Sequence, residues 1–119
     1  MPSKTATGNY GEAVAQGFLT RRGYAILETN YKRGGGEIDI IARLGTYVVF
    51  VEVKYRRGLK AGMPCEAVTP AKQRRIIHTA LYYISENNLA DTDFRFDVME
   101  VFGREWLDVN HIENAFQLN

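Results

Sequence analysis

The sequence predicts an α/β fold, a mixed β-sheet flanked by helices in the order α-β-β-β-α-β-β. Three observations predict it. Two stretches carry apolar residues at helical spacing, five others are rich in β-branched and aromatic residues, and the second helical stretch lies between strands rather than after them. With 119 residues, residues 1–119 read as one domain that buries roughly two thirds of its unfolded surface.

The first helix is expected over Gly8 to Arg22, where Tyr10, Val14, Phe18 and Leu19 form the stripe and Gly23 supplies the stop. Tyr24 to Tyr31 leans toward strand and ends before Gly34-Gly35-Gly36. Glu37 to Arg43 and Tyr47 to Lys54 are the strongest strand signals. Gly45-Thr46 joins them as a two-residue loop, with glycine first as a type II′ turn wants.

A loop over Tyr55 to Val68 follows. Thr69-Pro70 then reads as N-cap and first position of a helix running to about Asn88, with Ile76, Ile77, Ala80, Leu81 and Ile84 as its buried stripe. Phe94 to Phe102 is a further strand, and Gly103-Arg104 turns the chain into a last one near Trp106 to Ile112.

Composition narrows the function classes. Hydrophobic residues at 45% and charged residues at 24% describe a globular chain. Cys65 is the only cysteine, which excludes an internal disulfide framework or a thiolate zinc cluster. Neither a signal-peptide core nor a membrane-length apolar run is visible, so a cytoplasmic protein is expected, with no membrane partner. The net charge of +1 conceals asymmetry. Lys54, Arg56, Arg57, Lys60, Lys72, Arg74 and Arg75 face only Glu66 in their stretch. From Glu86 onward eight acids meet only Arg95 and Arg104. One face for a polyanion and one for solvent is the functional reading, and ordinary solvated faces are the plain alternative.

The turn carries the chemistry. A two-residue Gly45-Thr46 loop places Ile41 opposite Phe50, Asp39 opposite Glu52 and Glu37 opposite Lys54. Opposed side chains share a face, with Cβ atoms ~5 Å apart. Glu52 lies within Val48-Val49-Phe50-Val51-Glu52-Val53, an apolar run suited to a strand covered on both sides. Two carboxylates ~4 Å apart repel by about 4 kcal/mol at an effective dielectric near 20, and burial adds to that. A divalent cation between them turns repulsion into coordination, and oxygen donors point to magnesium or manganese. Lys54, two residues beyond Glu52, shares its face and adds an ammonium, as phosphodiester hydrolysis requires. Glu-x-Lys alone also occurs on solvated strands.

At these residues the sequence resembles the PD-(D/E)XK nuclease superfamily, whose aspartate and Glu-x-Lys are here Asp39 and Glu52-Val53-Lys54. It resembles more closely the YraN-type bacterial proteins, a family related to archaeal Holliday-junction resolvases. The likeness runs through Gly8-x-x-Gly11-Glu12-x-x-Ala15, Gly23-Tyr24, Asn30-Tyr31, Gly36 to Ala42, Val49 to Lys54 with Arg56, Glu66-Ala67-Val68, and Lys72-Gln73-x-Arg75-Ile76. The resemblance implies a restriction-endonuclease-like fold and magnesium-dependent cleavage of DNA, with Asp39, Glu52 and Lys54 catalytic. It also suggests Glu12 as a further metal ligand beside Asp39 and Glu52, and gives Glu37 a supporting role. Ile38 stands where the superfamily has proline.

Lys72, Gln73 and Arg75 at the second helix, with Arg56 and Arg57 after the Glu-x-Lys strand, are the candidate nucleic-acid contacts; solvated turn and loop charges are the alternative. His78 and His111 read as structural, and Trp106 with Tyr82-Tyr83 as core or surface aromatics. DNA rather than RNA is the expected partner, and a homodimer would suit two symmetric cuts. Two other readings stay open: a non-catalytic nucleic-acid-binding module serving repair or uptake machinery, and an interaction protein whose acidic C-terminal half docks a partner.

Overall fold

The chain alternates short glycine turns with one long crossover, and that alternation sets its topology. The computed structural model describes residues 3–56, 68–102 and 108–117, and side chains from Tyr10 onward other than those of Arg56 and Asp108. Its elements are α1 (Ser3–Arg21), β1 (Ala25–Arg33), β2 (Gly36–Leu44), β3 (Tyr47–Arg56), α2 (Pro70–Glu86), β4 (Asp93–Phe102) and β5 (Asp108–Phe116). This is the α-β-β-β-α-β-β order read from the sequence. The five strands form one sheet in the order β1-β2-β3-β4-β5. The β1–β2, β2–β3 and β4–β5 pairs are antiparallel, whereas β3 and β4, joined through α2, run parallel. A parallel pair needs a long crossover, and α2 supplies it.

Helix α2 starts where its cap predicts. The Thr69 hydroxyl accepts the Lys72 N–H at 3.2 Å, and Pro70 occupies the first turn. The β2–β3 turn also holds. Gly45 has φ +60 while Thr46 has no positive φ, the pattern of a type II′ turn. The ladder then pairs Leu44 with Tyr47, Ile41 with Phe50 and Ile40 with Val51.

Both sheet faces are covered. Ile41, Val48, Phe50, Phe96 and Val98 pack with Ile76, Ala80 and Tyr83 of α2. Ile40, Ala42, Val49, Val51 and Met99 pack with Ala15 and Leu19 of α1. The apolar run of β3 therefore feeds two cores, as a strand buried on both faces must.

Two expectations about faces need correction. Tyr10 and Leu81 are about half exposed rather than buried. In α1 the inner line is Gly11, Ala15 and Leu19. In α2 Tyr83 occupies the core, with its ring edge-on to Tyr31 and Phe50, and Thr79 is buried as well. Gly11, Ala15 and Thr79 are small where the helices lie close on the sheet. A Cβ on Gly36 would collide with the Thr79 hydroxyl, and one on Gly11 would lie 3.0 Å from Tyr55 Cβ. The last strand runs to Phe116 rather than Ile112. Trp106, the Gly103-Arg104 turn, and residues 57–67 of the Tyr55–Val68 loop lie outside the described residues.

Candidate active site

The face alternation of β2 slips by one residue at Asp39. Counting back from Ala42, the side chains alternate strictly between the α1 core (Ala42, Ile40) and the α2 core (Ile41). Continued, that pattern sends Ile38 to the α1 side, yet Ile38 packs in the α2 core. The β1–β2 pairing steps from Thr29–Ile40 to Tyr31–Ile38 and skips Asn30 opposite Asp39. Asn30 carries φ +51, a left-handed conformation that asparagine tolerates better than most residues. The pairing keeps one register on either side of Asn30, and its shift lies earlier, between Ile26 and Glu28, so the break at Asn30 and Asp39 is a local change of face rather than a slip of the ladder.

The slip revises the cluster expected from turn parity. The β2–β3 ladder ends at Ile40–Val51, so Asp39–Glu52 and Glu37–Lys54 are not ladder partners. Instead the Val53 N–H donates to Asp39 Oδ2 at 2.8 Å, a side chain standing where a strand carbonyl would otherwise accept. With Ile38 and Gly36 toward α2, Glu37 lies on the other side of the sheet from Lys54. Lys54 is half-buried and in register with buried Glu100 of β4.

A cleft of about 390 Å³ opens where β2 and β3 part. Glu12 enters it from α1, Glu37 and Asp39 from β2, Glu52 and Tyr55 from β3, and Lys72, Arg75 and Ile76 from α2. Gly11 and Gly36 let the two helices come this close. Four of the five expected acids and bases of the centre thus meet in one cavity, but Lys54 is not among the described residues lining it.

The carboxylates are tied to nitrogen donors. The Asn30 side-chain amide bridges Glu12, at 3.1 and 3.3 Å, and Glu37, at 3.2 Å. Lys72 Nζ lies 3.2 Å from Glu52 Oε2, and Glu52 itself is only 9% exposed. Burial pushes the Asp39 carboxyl up to about 7, and the charges of Glu52, Glu12 and Glu37 push the same way against the Val53 hydrogen bond.

The donor chemistry fits a hard divalent cation, since every acid in the cleft offers oxygen. As they stand, no three His, Cys, Asp or Glu side chains among the described residues converge closely enough to hold one.

Of the other candidate contacts, Gln73 donates its side-chain amide to the Val68 carbonyl at 2.9 Å and lies outside the cleft. Arg56 ends β3 opposite Phe102, its side chain outside the described set together with Arg57. His111 is structural, 2.7 Å from Asp97, which also accepts from Arg95 at 2.8 and 2.9 Å and from the Asn114 N–H at 2.9 Å. His78 is exposed and edge-on to Tyr82. Asp97 and Glu100 are buried inside β4, so the acidic C-terminal half is not wholly a surface.

Asn30 is the site residue to which the sequence reading gave no role, although Asn30-Tyr31 is part of the resemblance. The family model "Uncharacterised protein family UPF0102" matches residues 11–101, a span reaching from Gly11 beside Glu12 to the end of β4. The chain belongs to this family. UPF0102 proteins similar to it include one from Clostridioides difficile, 50% identical over 92% of this chain and 95% of its own length. Others are from Alkaliphilus metalliredigens, 48% identical over 92% and 96%, and Caldicellulosiruptor saccharolyticus, 46% identical over 96% and 99%. The UPF0102 match thus holds the whole cleft, from Glu12 to Ile76. No helix of the described residues is long and apolar enough to cross a membrane.

Proposed function

We propose that this UPF0102 protein is a metal-dependent nuclease of the PD-(D/E)XK type that hydrolyses phosphodiester bonds in DNA, with branched or junction DNA as one candidate substrate. The observation that carries the reading is the meeting of Asp39 and Glu52 in one cleft, with Glu12 and Glu37 beside them and Lys72 and Arg75 at its rim. Carboxylates brought together in a partly buried place weaken a fold. Their repulsion is useful only to something that binds a cation.

Asp39 and Glu52, with Glu12, would hold magnesium or manganese, which when bound supplies Lewis-acid polarisation of a phosphodiester. The chain's own residues do the rest. Glu37 and Asn30 hold Glu12 in place. Arg75 and Lys72 meet the anionic backbone at the start of α2, where Thr69 fixes the helix end. Lys54 supplies the ammonium of the Glu-x-Lys motif from β3, two residues beyond Glu52 and in register with Glu100 of β4.

The test is cleavage of branched and single-stranded DNA with magnesium or manganese. Asp39→Ala and Lys54→Ala are expected to abolish it while binding in calcium persists. Retained cleavage in either variant removes the assignment. The position of Lys54 outside the lining favours a second reading, a nucleic-acid-binding module without turnover. That reading predicts salt-sensitive binding and no metal-dependent product.

A further inference from the structure

The pairing of Lys72 with Glu52 crosses from one element to another at the cleft itself. Glu52 is nearly enclosed, and the side chain that meets it comes from the first turn of α2, 40% exposed and reaching inward. A cation at a helix N-terminus opposes the helix dipole, so this placement runs against the preference of the helix. An almost buried carboxylate beside Asp39 needs a positive partner, and Lys72 provides one. Glu12 and Glu37 hold a neutral amide instead, whereas among the described residues Glu52 meets a full positive charge.

We infer that the Lys72 ammonium is a stand-in cation: it neutralises Glu52 in the metal-free protein and is displaced when a divalent ion binds. The inference rests on the hydrolytic reading above and deepens it, because it names the residue that balances the nearly enclosed Glu52 beside Asp39. One oxygen-bearing arm of the site is occupied by the protein's own lysine. Lys72 is then a positioning residue that acts through Glu52, and metal affinity is set partly by how readily it lets go.

The measurement is calorimetric titration of the full chain with Mn²⁺ alone, without DNA, comparing wild type, Lys72→Ala and Lys72→Arg. Removing a competing positive charge should tighten Mn²⁺ binding by about three- to tenfold in Lys72→Ala. Lys72→Arg keeps the charge and should stay close to wild type. Unchanged or weaker binding in Lys72→Ala overturns the inference while leaving the metal site standing. A wild-type chain that takes up no Mn²⁺ removes the hydrolytic reading itself, and the inference with it. Thermal melting checks that each variant folds, and Lys72→Gln, which keeps the stem without the charge, replaces Lys72→Ala if that variant does not.

Discussion

Asp39 replaces a backbone acceptor: its Oδ2 takes the Val53 N–H at 2.8 Å just past the last β2–β3 pair, Ile40–Val51. One side chain therefore both ends the ladder and anchors the cleft. Its carboxyl is raised to about 7, chiefly by burial and then by Glu52. A folded-state value above the ordinary 3.8 means that the unfolded chain ionises first as pH rises. Between about pH 4 and pH 7 the native state holds the extra proton, so this group's contribution to stability falls as pH rises.

Asp39→Asn keeps an oxygen for Val53 and removes the charge. Without divalent ions it should raise stability at neutral to mildly alkaline pH by about 1–2 kcal/mol, and the gain should vanish toward pH about 4. Denaturant melts across that range check it. A gain that persists in acid would mean that the charge is not the cause. In the wild type, Mn²⁺ affinity should fall as pH drops below about 7, because the ion and the proton compete for Asp39.

Asn30 joins backbone and side-chain roles that substitution can separate. Its φ of +51 interrupts the pairing with Asp39, and its amide bridges Glu12 and Glu37. Asn30→Ala loses both and should cost about 1–2 kcal/mol. Asn30→Gly keeps the left-handed backbone at little strain and should cost less. Urea midpoints for the two variants decide the matter, and equal losses would put the whole effect on the amide.

Much of this fold was legible because it is written locally. Thr69-Pro70 starts a helix wherever it lands, and Gly45-Thr46 sets strand parity within two residues. Parity read from that turn holds as far as Ile40. It fails at Asp39, where the pairing with β1 is interrupted opposite Asn30, whose left-handed dihedral no periodicity encodes. Lys54 shows the same boundary. The motif fixes its face, but which cation reaches Glu52 depends on how close α2 settles, and that is a matter of Gly36 and Thr79. Tyr83 displaces Leu81 from the core for a related reason, since the stripe of α2 is chosen by the sheet beneath it.

Gly36 is where the cleft depends on packing. A side chain there would collide with the Thr79 hydroxyl and lie 3.3 Å from the Arg75 carbonyl. Gly36→Ala should force α2 outward and cost about 1–3 kcal/mol, the usual range for overpacking. Because Lys72 and Arg75 ride on α2, the same change should also weaken DNA binding measured in calcium. A Gly36→Ala protein with wild-type melting would show that the helix can yield without penalty, and that the close approach is not what shapes the cleft.

Arg75 lines the cleft from the exposed side of α2, and in the proposed reading it meets the phosphate backbone rather than the bases. A backbone contact of this kind releases about one counterion on binding, so log affinity should fall less steeply with log salt once it is removed. Arg75→Ala is expected to weaken binding to all DNA sequences alike and to lower the salt slope by roughly 1. Gln73→Ala, whose amide is already engaged by the Val68 carbonyl, should leave that slope unchanged. Fluorescence anisotropy over a salt series in calcium reads both variants at once. A slope unchanged in Arg75→Ala would place the phosphate path elsewhere on the surface, and a slope changed in Gln73→Ala would mean that the start of α2 rearranges when DNA arrives.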